Sequence, residues 1–183
     1  HAVATYIIDK MCMRCGTESE QKTYGCTTLK CGHIKIVGNK VYFDFIGKDS
    51  IIFKNVSTFD NAVVDKLKEC MKSKLKSSKV FDCLTSTSLN NYLNGLMANL
   101  TAKVFRTCNA SKLFSKMLSA KTDDAKQQYK TANEAVATLC NHTGLQTSKA
   151  NYIDPRIIVS FCKKKKIDIN KCISKTLVDK YSW

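Results

Sequence analysis

The sequence predicts a mostly α-helical chain that carries one small antiparallel β-sheet, an α+β fold. Apolar residues recur at helical spacing over most of the length, while strict alternation is confined to Lys40–Ile46 and its neighbours. The Gly38-Asn39 pair and the run Gly47-Lys48-Asp49-Ser50 frame that alternating stretch as turns.

Ala4, Ile7, Ile8, Met11, Cys12 and Cys15 keep helical spacing, which predicts a first helix stopped by Gly16. Thr27 to Val37 and Lys40 to Ile46 read as two strands, because Val41, Phe43 and Phe45 alternate with Tyr42 and Asp44. Ile51-Ile52-Phe53 completes a meander, with Lys48 at a hairpin tip. Beyond it the chain reads as helical. Phe59, Val63, Leu67, Met71 and Leu75 form one stripe, with Lys66, Lys68, Lys72, Lys74 and Lys76 on its polar face. Leu89, Leu93, Leu96, Met97 and Leu100 form another, after a Ser/Thr run suited to capping. Tyr129, Ala132, Val136 and Leu139 mark a third from Lys126 to Cys140. Asp154-Pro155 reads as N-cap plus first-turn proline for a helix through Ile157, Ile158 and Phe161. Lys163 to Lys166 close it, where cations suit the C-terminal dipole, and a short helical tail is expected to end at Trp183.

The 183 residues suffice to bury a core without requiring more than one domain. Thirty Lys+Arg against 15 Asp+Glu give a formal +15, a field that recruits polyanions. Nucleic acid is the leading partner, since neutralising phosphates releases their counterions. No 18-residue apolar run spans a bilayer, so no membrane role is expected. No Arg/Lys-then-apolar leader opens the chain, which starts without Met at His1 and reads as a fragment of something longer. The ten cysteines read as reduced thiols packed as small hydrophobes. Cys12, Cys15, Cys26, Cys31 and His33 supply thiols and an imidazole of the kind that hold zinc. The first pair falls in a helical pattern and the second on a strand-like one, so no metal site is expected.

GxxxxGK[ST] and GxGxxG are both absent, which argues against a nucleotide cofactor. Tyrosine attack on a phosphodiester needs no cofactor. It needs a phenol, several cations around the phosphorus and an acid for the leaving 5′-oxygen. Arginine suits the cation role because its planar fork grips two phosphate oxygens. Only Arg14, Arg106 and Arg156 are present; the remaining basic residues, 30 − 3 = 27, are lysines.

Specific segments then carry a resemblance. Leu145-Gln146-Thr147-Ser148-Lys149-Ala150-Asn151-Tyr152-Ile153-Asp154-Pro155-Arg156 resembles the active-site tyrosine segment of the eukaryotic nuclear topoisomerase I family. Phe43 to Ser50 resembles that family's catalytic-lysine hairpin, Leu100 to Thr107 its second arginine box, and Ala137 to His142 its histidine segment. Tyr6 to Lys10 through Met13-Arg14-Cys15-Gly16 resembles the first arginine helix, and the segments fall in family order.

The resemblance implies the fold shared by type IB topoisomerases and tyrosine recombinases. It implies a catalytic core subdomain at 1–142, and an active-site tyrosine segment at 143–183 packed on it. Tyr152 would attack the scissile phosphate, leaving a 3′-phosphotyrosine. Arg14, Arg106 and His142 would hold the non-bridging oxygens, and Lys48 would protonate the departing 5′-hydroxyl. Lys103, Asn151 and Asp49 would contact DNA, and the last two match positions that touch camptothecin-type poisons in the family. Supercoiled duplex DNA would relax with no ATP and no cofactor required, in the nucleus.

Some features depart from the family pattern. Only nine residues, Thr143 to Asn151, separate His142 from Tyr152, where the nuclear enzymes insert a long helical linker. Thr17 stands where the family has Asn after its glycine, and the upstream DNA-clamping region is missing, whether on the same polypeptide or a partner subunit. A tyrosine recombinase is the nearest alternative, but it would place His where Lys103 stands. A catalytically idle DNA-binding fragment is the other.

Overall fold

Helix α1 (Ala2–Met11) buries Ala4, Ile7, Ile8 and Met11 on one face, as their spacing predicts. The computed structural model describes residues 1–18, 22–120, 122, 124–142 and 152–172. Two compact units are present, His1–Phe105 and Arg106–Trp183.

The first unit contains the sheet: β1 (Ile34–Val37), β2 (Lys40–Ile46) and β3 (Ile52–Thr58), antiparallel in the order β1-β2-β3. Register places Phe43 opposite Ile34 and Asn55, and Ile46 opposite Ile52. Alternation along β2 sends Val41, Phe43 and Phe45 into the core, and Phe45 stacks on Phe53 at 4.9 Å. Helix α2 (Asn61–Met71) adds Val64 and Leu67 to that core, and α3 (Ser86–Leu96) adds Leu89 and Leu93. The Ser/Thr run does cap α3: Thr85 Oγ1 accepts from the Ser88 N–H, and Ser88 Oγ accepts from the Thr85 N–H.

Helix α4 (Ala102–Leu118) runs from the first unit into the second. The second unit adds α5 (Ala125–Leu139) and α6 (Pro155–Lys165). The Tyr129 ring meets Phe114 edge-on at 5.6 Å and stacks on Phe161 at 6.1 Å. Its hydroxyl donates to the Cys172 carbonyl at 3.0 Å, and burial raises the phenol above its ordinary range. Asp154 and Pro155 start α6 as expected, with Asp154 Oδ1 accepting from the Arg156 N–H. The fold is therefore mostly α with a small antiparallel sheet, as the sequence predicts. No helix among the described residues is long and apolar enough to cross a membrane.

Several local boundaries differ from expectation. Helix α1 ends at Met11 instead of Gly16, because Cys12 turns left-handed at φ 48°. The N–H of Cys12 returns to the Asp9 carbonyl and that of Met13 to the Ile8 carbonyl, a Schellman closure without glycine. The strand expected from Thr27 is two 3₁₀ turns, Cys26–Thr28 and Cys31–His33, before β1. Residues 29–32 bond instead to the 76–80 loop, through Val80 N to Leu29 O, Cys31 N to Ser78 O and Gly32 N to Lys76 O. The α2 stripe stops at Met71, and Leu75 is 73% exposed. The expected boundary after 142, the 143–151 connector and the helical tail beyond 172 lie outside the described residues.

Each of the ten cysteines is a free thiol, and Cys12, Cys26 and Cys31 are buried. Cys26 Sγ donates to the Ala4 carbonyl at 3.4 Å. His33 is a packing residue, its Nδ1 accepting from the Lys30 N–H and its ring edge-on to Tyr24 at 4.4 Å. Burial, helped by Lys30 and opposed by Asp44, lowers its pKa. The folded state thus favours neutral imidazole. The stability it confers is present above the unfolded histidine value of about 6.5 and is lost as pH falls through the lower folded one. Denaturant midpoints are expected to drop between pH 7 and pH 5, and His33→Asn, which keeps an acceptor but cannot titrate, should flatten that slope. Equal slopes would count against the assignment.

Candidate active site

One face of α4 is a buried line at intervals of four: Ala102, Arg106, Ala110 and Phe114. An arginine in such a line must find partners, because a buried unpaired cation is costly. Arg106 is 4% exposed, and its Nη1 donates to the Tyr152 hydroxyl at 3.2 Å while Nη2 donates to the Cys140 carbonyl at 3.0 Å. Its guanidinium also lies 4.5 Å from the centroid of the Tyr152 ring.

The end of α5 prepares the other side. Asn141 is left-handed at φ 52°, the Asn141 N–H returns to Thr138 O, and the His142 N–H returns to Ala137 O. This Schellman turn satisfies the last carbonyls of the helix and delivers His142, whose ring lies 5.3 Å from that of Tyr152. Tyr152 is 6% exposed and sits immediately before the Asp154-Pro155 start of α6. The second unit thus brings Tyr152, Arg106 and His142 together. A guanidinium and an imidazole beside one phenol are groups whose chemistry suits an anion at the phenol oxygen.

Ser111 on α4 was not singled out from the sequence. Its Oγ accepts from the Asp154 N–H at 2.9 Å and donates to the Tyr152 carbonyl at 3.4 Å. Nothing in its local pattern marks it, since the partners are 43 and 41 residues away.

Arg14 and Lys48 belong to the first unit. Arg14 does not lie on its expected helix; it is half-buried on the segment that follows α1, because α1 stops at Met11. That segment is held by the Cys26 N–H to Arg14 O and the Thr27 N–H to Cys15 O. The two strands of this turn touch through glycines. A Cβ on Gly25 would lie 2.6 Å from Gly16 Cα and 2.9 Å from Arg14 O, and Gly16 itself has φ +96°. Gly25→Ala is therefore expected to destabilise the protein by about 1–3 kcal/mol. A thermal melt indistinguishable from wild type would show that this approach is not tight.

Lys48 stands where the hairpin reading put it, in the single 3₁₀ turn Lys48–Ser50 between β2 and β3. Asp49 follows it, exposed and left-handed at φ 60°. Lys103 is exposed on the first turn of α4. Asn151 lies outside the described residues. Arg156 pairs with Asp154, whose carboxyl is held below its usual range by that guanidinium's hydrogen bond. Among the described residues no group of three His, Cys, Asp or Glu side chains is placed to hold a metal ion.

Residues 1–176 match the family model of the eukaryotic DNA topoisomerase I catalytic core. All of the chain aligns with DNA topoisomerase 1 alpha of Arabidopsis thaliana at 30% identity over 276 residues, which is 30% of that protein. It aligns at 32% identity over 263 residues with DNA topoisomerase 1 of Drosophila melanogaster, covering 27% of it. The Homo sapiens DNA topoisomerase 1 matches at 30% identity over 279 residues, 36% of its length. The chain spans about a third of these curated relatives, and each alignment is longer than its 183 residues. A match over nearly the whole sequence, on a mostly α fold with the tyrosine, arginine and histidine assembled, means that the chain belongs to the eukaryotic DNA topoisomerase I family.

Proposed function

We propose that the protein containing this chain is a type IB DNA topoisomerase. It would relax supercoiled duplex DNA through a transient single-strand break, without ATP or a required cofactor. The observation that carries the reading is the Arg106 Nη1 to Tyr152 Oη hydrogen bond at 3.2 Å, with His142 beside the same ring.

In this reading the Tyr152 hydroxyl gives its proton to solvent as its oxygen attacks the scissile phosphorus, and the bond to the 5′-oxygen breaks. The tyrosine is joined to the 3′-phosphate, and Lys48 supplies the proton that the 5′-oxygen needs to leave. Arg106, His142 and Arg14 hold the non-bridging oxygens as negative charge accumulates there. An arriving phosphate replaces the phenol as a partner of the Arg106 guanidinium, so the cation that orients the phenol also meets the charge that develops. The broken strand swivels, and the 5′-hydroxyl attacks the phosphotyrosine to restore the DNA. Lys103, Asp49 and Asn151 are assigned to DNA contact, the last two at a camptothecin-type inhibitor position. An upstream region would close over the duplex, and the nucleus is the expected site of action.

The test uses the full-length protein, supercoiled plasmid and chelator, with no ATP. Relaxation is expected, and a suicide substrate should trap a covalent adduct on the 3′-phosphate. A 5′-linked adduct would refute the class. Strand exchange between recombination sites would favour a tyrosine recombinase, and salt-dependent binding with no adduct would leave an idle DNA-binding protein.

A further inference from the structure

Helix α4 holds the Tyr152 segment at two places: Arg106 on the ring and hydroxyl, Ser111 on the backbone. A serine inside a helix ordinarily turns its hydroxyl back to the carbonyl four residues earlier. Ser119, just past the end of α4, does so with Ser115 O at 2.8 Å, and Thr138 within α5 with Glu134 O at 3.0 Å. Ser111 instead reaches across to another segment. It satisfies the N–H of Asp154, the residue that caps α6, and the carbonyl of Tyr152. Those two groups flank Ile153, which is 5% exposed, so this three-residue stretch is fixed at both ends and packed in the middle.

We propose that Ser111 is a positioning residue for the nucleophile. Its hydroxyl sets the height of the Tyr152 backbone along α4 and thereby the register between the phenol oxygen and the Arg106 guanidinium. Without it the cap of α6 still forms, because Asp154 Oδ1 holds the Arg156 N–H independently. What is lost is the tie between that cap and the helix that carries Arg106. A shift of about 1 Å at a reacting group is enough to cost up to ~10²-fold in rate.

The inference rests on the proposed role of Tyr152 and is tested in the full-length protein by single-turnover cleavage of a suicide substrate. Ser111→Ala is expected to slow adduct formation about tenfold or more, with duplex affinity close to wild type and a melting temperature lowered only modestly, as loss of about one hydrogen bond brings. Ser111→Thr, which restores a hydroxyl at the same place, should recover most of the rate. Wild-type cleavage by Ser111→Ala overturns the inference, as does a loss of rate matched by equal losses of affinity and melting temperature. Tyr152→Phe is run alongside. If it still forms the adduct, the nucleophile assignment fails and takes this inference with it; if it does not, a normal Ser111→Ala rejects the positioning role alone.

Discussion

Tyr152→Phe is expected to abolish plasmid relaxation and covalent adduct formation, a loss of about 10⁴-fold or more, as removal of a covalent nucleophile brings. The substitution keeps the ring that His142 and the Arg106 guanidinium contact. Packing of α6 should therefore survive. What goes is the oxygen that accepts from Arg106 Nη1. That buried donor then lacks one partner, at a cost of about 1–3 kcal/mol, while Nη2 still reaches the Cys140 carbonyl. DNA affinity, which the proposed function assigns to the lysines, is expected to stay close to that of wild type. The measurement is a denaturing gel of labelled DNA with and without protease, beside a binding titration. Residual relaxation at wild-type rates would mean that another residue is the nucleophile.

Arg106→Ala carries the second large effect, and it separates two roles of one side chain. Loss of a preorganised donor at the developing charge is expected to slow cleavage about 10²–10³-fold. The same change removes the Arg106 hydrogen bond to the Cys140 carbonyl and empties the space over the Tyr152 ring, so stability should also fall by about 2–5 kcal/mol. Arg106→Lys keeps the charge but cannot bond the phenol and the carbonyl at once. It should recover part of the stability and little of the rate. A lysine variant that cleaves normally would show that charge alone suffices and that the two-pronged geometry is incidental.

The stops of the helices show why boundaries were less legible than elements. Helices α1, α5 and α6 each close in a left-handed residue, and these are Cys12, Asn141 and Lys166. Only asparagine among them advertises that conformation, so no glycine marks the end of α1 or α6. The apolar spacing of α1 also runs on past its true end, because Cys12 and Met13 remain buried after the chain has turned. The missing half of the expected first strand has a different origin. Residues 29–32 take partners from the 76–80 loop, more than forty residues away, and local alternation carries no trace of that pairing.

Helix α4 illustrates the same limit at the site. Its buried line is legible only if Arg106 is admitted as a member, and a cation breaks an apolar pattern. Arg106, Tyr152, His142 and Lys48 were legible as residues through their segments. Ser111 was not, because its importance lies in bonds to a segment 41 to 43 residues later. Local spacing puts Arg14 on a helix, but α1 stops at Met11, and the segment that carries Arg14 is held by the close approach of Gly16 and Gly25.

By itself the sequence determined the fold class, the formal charge of +15, and the identity of the chemical groups. These follow from periodicity, composition and short motifs, all of which act over a few residues. Tertiary structure alone decided that Arg106 reaches the phenol, that a Schellman turn delivers His142 beside it, and that Ser111 ties the tyrosine backbone to α4. The Arg106 and Ser111 contacts join residues 41 to 46 positions apart in the chain. Such hydrogen bonds strengthen where burial has removed water.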